Sequence, residues 1–126
     1  MARKILIVED NENNRILLRD VLVFNGYTVL EACDGAAGVK MAREQRPDII
    51  LMDLHMPVMD GFTALRVLKE DPATKDLGII AVTSLAMRGD KEKIIEAGFD
   101  DYIAKPVDTR QLPVTVENNL TRRENP

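Results

Sequence analysis

A small set of polar residues carries the chemistry of this chain, each directly behind a short apolar run. Glu9 and Asp10 follow Ile5-Leu-Ile-Val8, and Asp53 follows Ile49-Ile-Leu-Met52. Thr83 and Ser84 follow Ile79-Ile-Ala-Val82, and Lys105 and Pro106 follow Tyr102-Ile-Ala104. If the runs are parallel strands of one open sheet, these residues converge at its carboxyl edge, where such sheets bind ligands. Three carboxylates held together repel one another, and protonation, a cation or a neighbouring ammonium relieves the repulsion. The divalent ion expected in an oxygen-only pocket with few protein carboxylates is Mg²⁺, which keeps several waters and shares its other positions with a phosphoryl group. The Thr83 hydroxyl and the Lys105 ammonium can meet the remaining phosphoryl oxygens. The chemistry on offer is phosphoryl transfer to or from a carboxylate.

The elements that must position these residues can be read from the spacing. With Thr28-Val-Leu30 there are five short apolar runs, and most lack the alternation of a half-exposed strand, as expected for strands covered on both faces. Between them lie segments of helical period. Residues 13–25 carry Leu17, Leu18, Val21 and Leu22 and end at Gly26; residues 35–45 carry Gly38, Val39 and Ala42. Residues 61–70 carry Phe62, Leu65 and Leu68, and residues 91–97 carry Ile94 and Ile95, with Asp90 as the expected N-cap and Gly98 as the stop. The last helix is expected within 112–122. Pro113 places its start at or near Leu112, with 107–111 as a loop, because a proline in the first turn forfeits no intrahelical bond. Five strand–helix alternations imply a doubly wound α/β parallel sheet with right-handed crossovers.

Composition narrows the function further. The 126 residues make one domain, expected to span 1–120 with a frayed polar tail at 121–126. At 45% hydrophobic and 30% charged the chain reads as globular, and no run approaches a membrane span. Seventeen basic against 21 acidic side chains leave a net charge of -4, so no positive field favours nucleic acid or anionic membrane. The single cysteine, Cys33, can form no internal disulfide and has no metal-binding neighbours; it is expected to be structural, at the end of the second strand. No export signal opens the sequence, and a cytoplasmic location is expected. The one histidine, His55, is expected to contribute backbone only; the six methionines read as core filling, and Arg122 and Arg123 as helix-end charges.

The chain resembles the response-regulator receiver domains of two-component signalling from Lys4 to about Leu120. The resemblance rests on Val8-Glu9-Asp10-Asn11, on Leu51-Met52-Asp53-Leu54-His55-Met56-Pro57-Val58-Met59-Asp60-Gly61, on Ala81-Val82-Thr83 and on Asp101-Tyr102-Ile103-Ala104-Lys105-Pro106. The opening through Arg15 is most similar to stand-alone receivers and receivers of hybrid kinases. What the resemblance implies is a flavodoxin-like (βα)5 fold, a five-stranded parallel sheet of order 2-1-3-4-5. Asp53 would be the phosphoacceptor, attacking a phosphoryl donor in line to form an acyl phosphate. Asp10, the Asp53 carboxylate and the His55 backbone carbonyl would hold Mg²⁺, with Glu9 acting mainly through a water on the metal. Thr83 would hydrogen-bond the phosphoryl group and Lys105 would pair with it. Thr83 and Tyr102 would form the switch, and a cis bond at Lys105–Pro106 would aim the lysine.

The implied function is a single-domain response regulator, a self-phosphorylating and self-dephosphorylating switch rather than an enzyme with an external substrate. Its partners would be a histidine kinase or histidine phosphotransfer protein and a downstream protein target, with no direct nucleic-acid or membrane contact. It would act as a monomer or weak homodimer, through the face built from 91–97, 102–104 and the last helix. Departures from the family pattern are Ser84, where Ala or Gly is common, His55 and Leu85 at positions that modulate water access to the acyl phosphate, and Pro113. Three alternatives stand beside this reading: a receiver excised from a hybrid histidine kinase, a degenerate receiver acting only as a binding module, and a haloacid-dehalogenase-type phosphatase. The last needs a second acid two residues after its nucleophile, where this chain has His55.

Overall fold

The computed structural model describes residues 2–84 and 88–124, and the side chain of residue 88 is not among the described ones. Among the described residues ten elements alternate: β1 (Lys4–Val8), α1 (Glu12–Phe24), β2 (Thr28–Ala32), α2 (Gly35–Gln45), β3 (Ile49–Asp53), α3 (Gly61–Glu70), β4 (Gly78–Thr83), α4 (Arg88–Ala97), β5 (Asp101–Ala104) and α5 (Gln111–Glu124). The strands form one sheet in the order β2-β1-β3-β4-β5, and every neighbouring pair is parallel. This is the flavodoxin-like order. One register row runs Glu31, Ile7, Leu51, Ile80 and Asp101 across the sheet, and the next runs Ala32, Val8, Met52, Ala81 and Tyr102.

Alternate strand residues face opposite sides, so the sheet builds two cores. Leu6, Val8, Ile50, Met52, Ile79 and Ala81 pack with Val39 and Ala42 of α2, Leu65 and Leu68 of α3, and Ile94 of α4. On the other side Ile5, Ile7, Leu51, Ile80 and Val82 pack with Leu18 and Leu22 of α1 and Leu112, Val116 and Leu120 of α5. Burial on both faces explains why the central strands read as unbroken apolar runs. Three helices begin on a side chain that satisfies a free backbone donor: Asn11 accepts from Asn14 N–H, Asp34 from Ala37 N–H and Asp60 from Thr63 N–H.

Several local expectations need correction. Leu17, Phe62 and Ile95 sit on expected apolar faces yet are 38%, 38% and 48% exposed, because each lies beside the narrow stripe that touches the sheet rather than on it. Phe62 instead meets Phe99 edge-on, with ring centroids 5.7 Å apart. Asp90 is not the N-cap of α4; the helix already includes Arg88, and Asp90 lies in its first turn, where a carboxylate still favours the positive end of the helix dipole. Cys33 lies just beyond β2 and is exposed. α5 continues to Glu124, two residues beyond the 112–122 segment expected to hold the last helix. Its end is tied down where fraying was expected: Arg123 donates to the Asp76 carbonyl, Arg122 to the Asn119 side chain, and Glu124 pairs with Arg3.

Pro113 has the predicted effect. α5 starts at Gln111, one residue before Leu112, with the proline third in the helix, and Asp108 accepts from Arg110 N–H and Gln111 N–H ahead of it. Leu85, with its modulating position, lies outside the described residues. No helix among the described residues is long and apolar enough to cross a membrane.

Candidate functional site

Because all five strands run the same way, the residues at their carboxyl ends meet on one edge. Asp53 is the last residue of β3 and Thr83 the last of β4; Glu9 and Asp10 follow β1, and Lys105 follows β5. Backbone hydrogen bonds carry the sheet geometry past the strand ends into the site. Glu9 N–H donates to the Ala32 carbonyl at 3.1 Å, Leu54 N–H to the Val82 carbonyl at 3.1 Å, and Lys105 N–H to the Thr83 carbonyl at 2.8 Å. Each functional side chain is therefore placed within one residue of a bonded sheet position. The Lys105–Pro106 peptide bond is cis.

Lys105 Nζ lies 2.9 Å from Glu9 Oε1 and 3.2 Å from Asp53 Oδ1, bridging the two acids. Both acids are almost wholly buried, Glu9 1% and Asp53 2% exposed, whereas Asp10 is exposed. Glu9 Oε2 accepts from Asn11 N–H at 3.3 Å and Asp53 Oδ1 from His55 N–H at 3.2 Å. The Glu9 Oε1 contact with Lys105 is an ion pair without the alignment of a regular hydrogen bond. Burial, and behind it the neighbouring Asp53, raises the Glu9 carboxyl to about 7, against the opposing pull of Lys105. Burial lowers the Lys105 ammonium, but Glu9 and Asp53 outweigh it and hold the group above its ordinary value.

One oxygen from each of Glu9, Asp10 and Asp53 lies within 4.8 Å of the other two. Three hard oxygen donors, with solvent on the Asp10 side, have the donor chemistry that Mg²⁺ favours and leave room for its waters. The close fit continues in the loop behind Asp53. A Cβ on Gly61 would lie 2.5 Å from the Asp53 carbonyl oxygen and 2.8 Å from Leu54 Cα, so only glycine lets α3 start this close to the phosphoacceptor candidate.

The structure thus brings Glu9, Asp10, Asp53, Thr83 and Lys105 to one edge. Thr83 is fully buried. His55 is exposed, and its backbone N–H donates to the Asp53 carboxylate. Tyr102 lies one strand further out, half-buried against the α2–α4 core, with Lys91 Nζ 5.2 Å from its ring centroid. Sequence reading did not anticipate two features: the direct Glu9–Lys105 pair, which joins residues 96 positions apart, and the role of Arg15. Arg15 Nη1 donates to the Glu9 carbonyl at 3.0 Å. Its place in the opening motif was the only signal.

Comparison with known proteins agrees with the geometry. The response regulator receiver domain family matches residues 5–117. The polar-differentiation response regulator DivK of Brucella anthropi is 38% identical over 120 residues, covering 95% of this chain and 98% of DivK. A crystal structure of a putative response regulator from Chloroflexus aurantiacus superimposes with a TM-score of 0.90 at 31% identity, covering 96% of this chain and 99% of that one. The receiver domain of a sensor histidine kinase from Pseudomonas aeruginosa, solved with a magnesium ion coordinated in its active-site cleft, gives a TM-score of 0.87 at 36% identity over 96% and 99% of the two chains. This chain belongs to the response regulator receiver domain family, whose members work in two-component signalling. That membership takes the place of the phosphatase alternative.

Proposed function

We propose that this receiver is a phosphorylation-operated switch whose phosphoacceptor is Asp53. The observation that carries the reading is the Lys105 ammonium shared between the buried carboxylates of Glu9 and Asp53, with Asp10 beside them at the open edge. The Asp53 carboxylate attacks phosphorus in line; the new bond is Asp53 Oδ–P, the bond to the donor's leaving group breaks, and the leaving group departs with that electron pair. Lys105 then exchanges its contact with the bare carboxylate for one with the phosphoryl oxygens, and Thr83 donates its hydroxyl to them. Asp10, Asp53 and the His55 carbonyl are the proposed holders of Mg²⁺, with Glu9 alongside. Bound there, the ion supplies positive charge against which an anionic donor can approach three acids.

The same residues catalyse both gain of the phosphoryl group from the donor and its loss, in which water attacks phosphorus, the Asp53 Oδ–P bond breaks, and inorganic phosphate leaves the regenerated carboxylate. The donor is a histidine kinase or histidine phosphotransfer protein in the cytoplasm. Phosphorylation replaces the single negative charge of the Asp53 carboxylate with a phosphoryl group of roughly -1.5 to -2, a net gain of roughly 0.5 to 1 negative charge placed further into the site. That charge favours the arrangement in which Thr83 closes on the phosphoryl group and the Tyr102 ring turns inward, a shift between two existing states. The readout is a protein target, or weak homodimerisation, at the face of α4, β5 and α5. There a groove of about 440 Å³ is lined by Tyr102, Ala104, Pro106, Leu112 and Thr115 among others. The test is incubation with Mg²⁺ and acetyl phosphate. One base-labile phosphoryl group is expected, absent from Asp53→Asn protein and absent after chelation. Equal labelling of the Asp53→Asn variant would remove Asp53 from its role.

A further inference from the structure

Asp10 is the odd member of the acidic trio. Glu9 and Asp53 are buried and paired with Lys105, but no hydrogen bond or ion pair holds the Asp10 carboxylate among the described residues. Its direction therefore depends on the backbone that carries it, above all on the peptide plane joining Glu9 to Asp10. That plane is anchored at the Glu9 carbonyl oxygen, which accepts from Arg15 Nη1 at 3.0 Å.

Arg15 is itself held. It sits in α1 with its side chain only 15% exposed, and its Nε lies 3.4 Å from Glu31 Oε1 on β2. The Glu31 carboxylate also faces Arg19 Nη1 at 3.7 Å, and Glu31 is the register partner of Ile7, two residues before Glu9. With Glu9 N–H bonded to the Ala32 carbonyl, both backbone polar groups of Glu9 are referred to β2, one directly and one through Arg15. A guanidinium suits this task because its planar fork can donate to a carbonyl from one nitrogen while another faces a carboxylate.

We infer that Arg15, held by Glu31, is a positioning residue that sets the Glu9–Asp10 peptide and thereby aims the Asp10 carboxylate at the cation. This rests on the proposed Mg²⁺ site and deepens it. Groups that orient a ligand from behind typically change metal affinity 10- to 100-fold when removed. The sign of the effect separates positioning from simple charge. Arg15 is a cation near a cation site, so deleting its charge should tighten Mg²⁺ binding if only through-space electrostatics matter. Positioning demands the opposite.

The experiment titrates MgCl₂ alone into ¹⁵N-labelled protein and follows the backbone amides of Asp10 and Asn11. In Arg15→Met protein the Mg²⁺ dissociation constant should rise about tenfold, the low end of that range. Glu31→Gln should raise it less, Arg15→Lys should recover part of the loss, and the Arg15→Met/Glu31→Gln double variant should be no worse than Arg15→Met alone. Arg19→Met, which removes the same charge from the outer end of the network, should leave the constant unchanged or slightly lower. A merely structural role lowers melting temperature without moving the dissociation constant. Unchanged or tighter binding in Arg15→Met overturns the inference while leaving the metal site intact. If that variant fails to fold, wild-type affinity in both Arg15→Lys and Glu31→Gln does the same. Absence of any saturable shift in wild-type protein removes the metal reading and this inference together.

Discussion

Replacing Gly61 by alanine adds one methyl group at the tightest backbone approach in the site. Gly61 is the first residue of α3, after the Asp60 cap, and its N–H donates to the Leu54 carbonyl at 3.2 Å. The new carbon would stand 2.5 Å from the Asp53 carbonyl oxygen and 2.8 Å from Leu54 Cα, and both are backbone atoms that cannot rotate away. Helix preference alone favours alanine by up to about 1 kcal/mol. Forcing packed atoms apart costs roughly 1–3 kcal/mol, so the net expectation is a loss of about 1–2 kcal/mol. With a urea m-value of about 1–3 kcal/mol/M for a domain of this size, the unfolding midpoint should fall by roughly 0.3–2 M. Gly89 in α4 is the internal contrast, because its added carbon would meet nothing within 4 Å. Gly89→Ala should raise stability by about 0.5 kcal/mol through the entropy of the unfolded chain. The displaced atoms of Gly61→Ala include the peptide of Asp53 itself, so acetyl-phosphate labelling should slow in that variant and not in Gly89→Ala. A Gly61→Ala midpoint at or above wild type would refute the steric reasoning, as would equal shifts of the same sign in both variants.

Two further outcomes follow from charged and polar pairs. Without metal, the Glu9 carboxyl titrates near 7, above its ordinary 4.5, so the folded state holds that proton more tightly than the unfolded chain does. The contribution is complete below pH 4.5 and is lost as pH rises toward and through 7; urea midpoints should show wild-type stability falling by at least about 1 kcal/mol relative to Glu9→Gln across that window. A parallel pH profile for the two proteins would sink this assignment. Tyr27 Oη donates to Glu117 Oε2 at 2.5 Å, linking the α1–β2 turn to α5, and burial followed by that carboxylate raises its phenol above the ordinary value. Tyr27→Phe should cost about 0.5–1.5 kcal/mol. In alkaline absorbance titration Tyr27 should ionise only above pH 10, with its contribution present below that pH and lost above it; a Tyr27 phenol that titrates at the ordinary value would contradict the pair.

What the sequence by itself determined is the set of elements and the residues at their ends. Unbroken apolar runs such as Ile49 to Met52 announce strands buried on both faces, and parallel strands place Glu9, Asp53, Thr83 and Lys105 on one edge without further information. Pro113 located the start of α5 to within one residue, since the missing N–H is harmless only in the first turn. Side-chain partners across the fold were not legible in the same way. The Glu9–Lys105 contact, the Arg15–Glu31 strut and the ties that keep α5 helical to Glu124 join elements far apart in the chain. Periodicity reports which face a residue occupies, not what lies opposite it, and so Leu17 and Phe62 could be placed toward the sheet and still end at its margin. Local propensity and pattern act through neighbouring residues, and they specify the edge where the acids meet. The distances that make a site of that edge, and the burial that raises Glu9, exist only once five strands and five helices have excluded water from around it.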